Sequence, residues 1–339
     1  MRKFTAEEKE YIQDHQQQDA ASLMLQARRY PSLPVTELVQ QIQARQKAVH
    51  KLPTWVQHPE VVFPAALSVE QSSSEATAAF KASLVAGKLL VDLTGGFGVD
   101  CLYFAKHFER VVHVEQNLEL QEVANYNFGL LQAHNIQSIN TTAEEFLHSF
   151  TGKADVIYLD PARRGEREEK LHLLQDCEPD ILRLLPQLFT KVDAVLLKTS
   201  PMLDIDLALE QLGHVSELWV VAVQNEVKEV LYLLKPQAPA PALVPRTAIN
   251  LLPQGIVQAL QFTRAAEEAA VPAYTDPMAY IYEPNAAILK AGAYRYLGES
   301  LSLHKIHPNS HLYTSAALVS GFPGRSFRCK AVSRYNKKE

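Results

Sequence analysis

Three glycines stand within four residues, at Gly95, Gly96 and Gly98, directly after an apolar run and ahead of an amphipathic stretch. The segment from Val91 to Asp100 reads VDLTGGFGVD. Leu89–Leu90–Val91 has the continuous apolar character of a strand covered on both faces, and DCLYFAKHF has helical spacing. A strand, a tight glycine turn and a helix start make a βα unit whose backbone N–H groups gather at the turn. The chain repeats this alternation. Strands are predicted at 88–93, 110–115, near 136–141, 154–159, 192–198, 217–223 and 228–234. Helices are predicted at 99–107, 117–133, 143–149, 178–189 and 203–211. Such alternation requires a mostly parallel sheet covered by helices on both faces. The turn Gln224–Asn225–Glu226–Val227 is too short for a crossover, so the last two strands should pair antiparallel.

A chain of 339 residues exceeds one ordinary core. Residues 1–60 read as an N-terminal helical region: Leu23, Leu25, Leu38, Val39 and Ile42 recur at helical spacing, interrupted by Pro31 and Pro34. Residues 61–236 hold the alternating elements. The proline-rich Lys235–Pro245 reads as an inter-domain linker. A small α+β segment is expected over 240–283 and a basic module over 284–339. Composition is that of a globular protein, 47% hydrophobic and 21% charged. No apolar run reaches the roughly 18 residues needed to span a bilayer. The start, MRKFTAEEKEYIQDHQQQD, lacks the apolar centre of a signal peptide. Cys101, Cys177 and Cys329 lie far apart with no metal-ligand spacing, which fits a cytoplasmic protein without a resident metal.

Net charge is −5, but its distribution is uneven. From Ala286 onward nine Lys or Arg face two Glu, so this tail carries about +7 and the rest about −12. Tyr294, Tyr296, Tyr313 and Phe322 are interleaved with these charges. A basic, aromatic module beside an acidic body is an electrostatic footprint for nucleic acid. Lys305, Arg325 and Arg328 are its candidate RNA contacts. The plain alternative is a solvated tail.

In a doubly wound sheet, ligands sit at the carboxyl ends of the strands. At the first end, Asp92, Thr94, Gly95, Gly96 and Gly98 form the candidate cofactor cradle. A strand-tip carboxylate repels a pyrophosphate but holds an ammonium, which points to S-adenosyl-L-methionine rather than NAD. The NAD fingerprint is also broken, because Cys101 stands where its third glycine belongs. At the second end Glu115, 23 residues after Asp92, is placed for both ribose hydroxyls; this would serve either cofactor. At the third, Glu144 beside Ala143 borders the adenine, although TTAEEF reads equally as a helix N-terminus.

The fourth strand runs into Asp160–Pro161–Ala162–Arg163–Arg164–Gly165. Proline stiffens the turn, and the carboxylate can accept a hydrogen bond from a nucleobase amine or ring N–H. Alignment then supplies much of the barrier reduction. Asp160, Pro161 and Arg163 are the candidate catalytic residues, and Arg164 a candidate phosphate contact. The competing reading makes the two arginines surface charges beside Glu166, Glu168 and Glu169. Val69–Thr77, ahead of the sheet, reads either as a cover for the methionine end of the donor or as a serine-capped helix.

FPAALSVEQSSSEATAAFKA, VDLTGGFGVD, HVEQN and DPARRG, in this order, resemble a family of bacterial class I S-adenosylmethionine-dependent methyltransferases with a C-terminal THUMP-like module. YIYEPNAAILKAGAYRYL and HLYTSAALVSGFPGRSF are similar to that module. The resemblance implies a seven-stranded Rossmann-like α/β sheet, a small ferredoxin-like segment over 240–283 and a THUMP-like module over 284–339. It also implies methylation of RNA, tRNA or rRNA. DPARRG further resembles the DPPR-x-G motif of RNA 5-methyluridine methyltransferases, but Thr199–Ser200–Pro201–Met202 stands where those enzymes carry a nucleophilic cysteine. Methylation of carbon through a covalent adduct is therefore disfavoured, and a base nitrogen is the expected acceptor. Amine-methylating enzymes place an aromatic after their prolines; Ala162 and Arg163 stand here, and Arg163 can stack on a base in its place. The alternatives are a small-molecule or protein methyltransferase, and a non-catalytic RNA-binding protein that retains the fold.

Overall fold

The computed structural model describes residues 3–163 and 174–333. Nine strands form one sheet: β1 (Gly87–Asp92), β2 (Phe108–Glu115), β3 (Ile136–Asn140), β4 (Ala154–Leu159), β5 (Val192–Thr199), β6 (Val215–Val223), β7 (Glu226–Leu234), β8 (Arg246–Leu251) and β9 (Val257–Phe262). Their order is β3-β2-β1-β4-β5-β7-β6-β8-β9. The expected seven strands are present, with β6 and β7 antiparallel. The expected total is corrected from seven to nine.

The two additional strands come from the segment expected to be a separate ferredoxin-like unit. β8 pairs parallel with β6, from Arg246↔Leu218 to Leu251↔Val223, and β9 returns antiparallel along β8. Ala248, Ile249 and Asn250 of β8 are buried, which ties this segment to the large sheet. Lys235–Pro245 accordingly connects strands of one sheet, with a single 3-10 turn at Pro241–Leu243, and is not a linker between domains.

By packing, the chain divides into Met1–Asp160 with Leu184–Ala194, and Pro161–Arg183 with Val195–Glu339. In the first unit, helices Ala6–His15, Ala20–Leu25, Val35–Ala48 and Pro53–Val56 precede the sheet. Thr5 and Glu8 cap the first through reciprocal side-chain to backbone bonds. Tyr11, Ile12, Leu23, Leu38, Val39 and Ile42 form one apolar cluster. A second joins Ala44, Leu52, Trp55 and Phe63 to Phe97 and Val99 of the glycine turn. The N-terminal helices therefore share a core with the candidate site. Parallel pairing of β1 with β2 and β4 aligns Asp92 with His113 on one side and Tyr158 on the other.

In the second unit, β10 (Tyr280–Pro284), β11 (His304–Lys305), β12 (Tyr313–Ser315) and β13 (Gly324–Arg328) form a smaller antiparallel sheet in the order β11-β12-β10-β13. Helix Ala286–Ala291 packs on β6, β7 and β8, burying Ala287, Ile288 and Ala291. Asn225, at φ 69 in the β6–β7 turn, accepts from the Ala286 N–H, and its own N–H donates to Asn250 Oδ1. Asn250 and Asn285 both donate to Gln258 Oε1. This amide chain fixes the C-terminal module to β8 and β9.

Candidate active site

The glycine turn is built by packing on one side and left open on the other. Gly95 donates to the Val114 carbonyl at 2.8 Å, and a Cβ on it would lie 2.3 Å from the His113 ring. Gly98 has φ +85, and a Cβ there would lie 2.5 Å from Phe128 Cζ. Both positions require glycine for contact with the protein itself. Gly96 differs. It has φ +53, is half-exposed, and a Cβ on it would meet nothing nearer than the Thr94 carbonyl at 3.8 Å. Space for a ligand lies on the Gly96 side.

Glu115, at the end of β2, faces this turn. Its Oε2 accepts from the Gly96 N–H at 2.8 Å and its Oε1 from the Asn117 N–H at 2.7 Å. Each carboxylate oxygen retains a lone pair, so two vicinal hydroxyls could still be bound. Beneath the turn, His113 is fully buried. Its Nε2 lies 3.2 Å from the Gly96 carbonyl and its Nδ1 2.9 Å from Ser138 Oγ. A carbonyl only accepts, so Nε2 carries the proton and Nδ1 accepts from the Ser138 hydroxyl. Burial holds the imidazole neutral and pushes its pKa down to about 4.

Asp92 is 1% exposed. Oδ1 accepts from the Thr94 N–H at 3.0 Å and Oδ2 from the Cys101 thiol at 3.1 Å. Burial raises its pKa to about 7; these two bonds oppose the rise, and Asp100 and Asp160 add to it. Asp92, expected to hold an ammonium, is buried here with both oxygens bonded to groups of the turn and the following helix. The Thr94 hydroxyl is half-exposed and lies between two acids. It accepts from the Asp160 N–H at 2.7 Å and sits 3.4 Å from Asp92 Oδ1. Asp160, at the end of β4, is thereby tied to the glycine turn.

A second polar group surrounds Asp100, on the first turn of helix Val99–Phe104. Asp100 Oδ2 accepts from Ser73 Oγ at 2.8 Å and from the Tyr158 hydroxyl at 2.9 Å. The fully buried Lys81 ammonium is 3.3 Å from Asp100 Oδ1 and donates to Ser73 Oγ at 3.0 Å. Segment 69–77 is thus fastened to the turn, and Ser74 with Thr77 caps the following helix. Lys81, Tyr158 and His113 are site residues that strand-end reading did not find. A lysine inside the apolar run TAAFKASL is the signal that marks a buried cation.

The remaining expected residues are less gathered. Glu144 is exposed on the first turn of helix Ala143–Ser149, whose cap is made by Thr142 and Glu145. Pro161 is half-buried, and Ala162–Arg163 pair antiparallel with Cys177–Glu178. Arg164 lies outside the described residues. Lys305 is corrected from an RNA contact to an internal cation: it is 3% exposed and donates to the Pro308 carbonyl at 3.3 Å. Tyr313 and Phe322 are likewise buried. Arg325 and Arg328, on β13, are exposed. Among the described residues no helix is long and apolar enough to cross a membrane.

Known proteins place this geometry. A ferredoxin-like domain family matches residues 280–323, so that fold belongs to the segment expected to be THUMP-like, and not to 240–283. A tRNA/tmRNA (uracil-C(5))-methyltransferase of Musicola paradisiaca is 31% identical over 116 residues, 27% of this chain and 32% of that protein. An uncharacterised RNA methyltransferase of Mycoplasma mobile is 31% identical over 90 residues, 26% of this chain and 25% of that protein. The chain thus spans about a third or less of the curated relatives it matches. The crystal structure of a candidate methyltransferase from Porphyromonas gingivalis W83 superposes with a TM-score of 0.88, at 33% identity, over 99% of this chain and 85% of that one. Similarity of that extent in both sequence and fold means that the chain belongs to the same methyltransferase family as the Porphyromonas gingivalis protein.

Proposed function

We propose that the chain transfers a methyl group from S-adenosyl-L-methionine to a base nitrogen in structured RNA, tRNA or rRNA. The observation that carries this reading is the Thr94 hydroxyl, bonded to the Asp160 N–H and lying against Asp92. It brings the donor turn and the acceptor motif within one side chain of each other. Gly96 offers the open side of the turn, Glu115 its remaining lone pairs to a ribose, and the Ser73–Asp100 clasp covers the adjoining edge. When bound, the donor supplies a methyl group already activated on sulfur. The protein's task is then to align the acceptor and take up its hydrogen bond, a role suited to Asp160.

Nitrogen is favoured over carbon by the absence of a thiol from Thr199–Met202, the stretch after β5. Cys101 is no substitute, since it is buried and its thiol is donated to Asp92. The RNA part is supported by the exposed Arg325 and Arg328 and by the names of the partial relatives.

Mass spectrometry of nucleosides from RNA of a deletion strain tests the reading. One N-methylated nucleoside should vanish, return with the wild-type gene, and stay absent with Asp160→Asn. Loss of 5-methyluridine instead would overturn the nitrogen assignment. An unchanged nucleoside profile would overturn the RNA assignment.

A further inference from the structure

Among the described residues, the exposed aromatic of the basic module is not one of those that the sequence pattern picks out. Tyr313 and Phe322 are buried, Tyr294 is stacked on His311, and Tyr296 on Phe262. Phe327, in contrast, is 47% exposed. It lies on β13, one of the two edge strands of the four-stranded sheet. Alternation along a strand places Arg325 and Phe327 on one face. Their register partners on β10 are Glu283 and Ile281, both half-exposed. The Arg325 guanidinium lies 5.8 Å from the Phe327 ring centroid and 2.5 Å from Glu283 Oε2. Arg328 ends the strand, exposed on the opposite face by the same alternation, and Lys330 is exposed just beyond it.

An exposed phenyl ring beside an aliphatic side chain, bordered by cations, combines the two elements that hold single-stranded nucleic acid: a stacking surface and phosphate contacts. Hydrophobic docking of a protein would leave Arg328 and Lys330 without complementary charge, whereas a phosphodiester backbone supplies it. We propose that Phe327 is a stacking platform for an unpaired base of the RNA substrate, with Arg325 binding a flanking phosphate on the same face and Arg328, at the strand end, a phosphate farther along the backbone. This rests on the RNA reading above and adds to it where on the chain an unpaired nucleotide is held.

Glu283 gives the site a particular signature. It competes with phosphate for Arg325, and an exposed ion pair of this kind is weak enough to be exchanged. Neutralising it should therefore strengthen RNA binding, whereas damage to the fold would weaken it.

The test uses the full chain and a fluorescein-labelled RNA hairpin with a single-stranded 3′ extension, titrated at several salt concentrations. Phe327→Ala should weaken binding roughly ten-fold with the salt dependence kept, and Phe327→Trp should restore it. Arg325→Gln and Arg328→Gln should each lower the salt slope by about one. Glu283→Gln should tighten binding. Calorimetry with S-adenosyl-L-methionine should give wild-type affinity for all of these variants. If the wild type binds and Phe327→Ala binds equally, or Glu283→Gln fails to tighten, the platform is wrong while the RNA reading stands. If the wild type shows no salt-dependent RNA binding, both fall.

Discussion

The hydroxyl of Thr94 accepts the backbone N–H of Asp160 at 2.7 Å, across 66 residues of sequence. One hydroxyl thereby couples the turn that follows β1 to the acid that ends β4. It also sits 3.4 Å from the buried carboxylate of Asp92, so it joins the two strand ends from which the chemistry is proposed to arise.

Thr94→Val keeps the shape of the side chain and removes its acceptor. The Asp160 N–H then loses its partner in a half-buried position, which should cost about 1–3 kcal/mol of stability. Methyl transfer should fall further than donor affinity, because the displaced group is on the acceptor side. Thr94→Ser should retain both. Urea denaturation and calorimetry with the donor measure the two effects separately. Equal loss in the Ser and Val variants would show that the hydroxyl is not the link.

The three glycines should divide in the same way as their surroundings. Gly95→Ala drives a methyl group into His113, and Gly98→Ala drives one into Phe128 at a left-handed position. Each should lose about 1–3 kcal/mol through overpacking, with a further 1–2 kcal/mol at Gly98 from its positive φ. Gly96→Ala carries only the backbone cost, about 1–2 kcal/mol, because nothing lies within contact of its Cβ. Its main effect should be on donor binding. Thermal melts of the three variants, set beside their donor affinities, decide this: a Gly96 variant that binds donor like the wild type would remove Gly96 from the site.

Much of this arrangement is legible in the sequence, and the exceptions have physical reasons. β1, β2, β4 and β5 carry short, largely apolar runs, so their existence and the strand-end residues Asp92, Glu115 and Asp160 follow from pattern. β9, VQALQF, alternates and is mostly half-covered or exposed, and β8 gives too short a signal to say that it pairs with β6, 28 residues earlier at Arg246↔Leu218. Burial of a charge is the harder case. Lys305 and Arg325 look alike in a basic tail, yet one turns inward to the Pro308 carbonyl and the other outward. Lys81 is read as surface until a carboxylate from 19 residues away meets it. Strand pairing and ion pairing across sequence are set by the tertiary fold, which a single chain's periodicity does not encode.

The Lys81–Asp100 pair supplies a third prediction. The ammonium is fully buried and the carboxylate nearly so. Lys81→Met should be strongly destabilising, about 3–5 kcal/mol, because it withdraws the cation from a desolvated carboxylate. Lys81→Met with Asp100→Asn should recover much of that loss, since the charge itself is then gone. Chemical denaturation of the two single variants and the double variant forms a cycle. A double variant as unstable as the sum of the singles would mean that the two charges do not interact.

Asp92 and His113 should oppose one another in the pH dependence of stability. Burial raises Asp92 from 3.8 to about 7. Between those values the folded chain holds a proton that the unfolded chain has released. The stability from this group is full below about pH 4 and is lost as pH rises through about 7. His113 runs the other way, lowered from 6.5 to about 4 by burial. Its contribution is full above pH 6.5 and is lost as pH falls through about 4. Upper limits are on the order of 4 kcal/mol for Asp92 and 3 kcal/mol for His113. In the wild type these two slopes largely cancel between about pH 4 and 6.5. Asp92→Asn removes one of them, so the variant should gain stability with rising pH over that interval relative to the wild type. His113→Gln should lose stability over the same interval. Urea midpoints measured at half-unit steps from pH 4.5 to 8 resolve the two curves. Parallel profiles for Asp92→Asn and the wild type would show that Asp92 is ionised throughout this range.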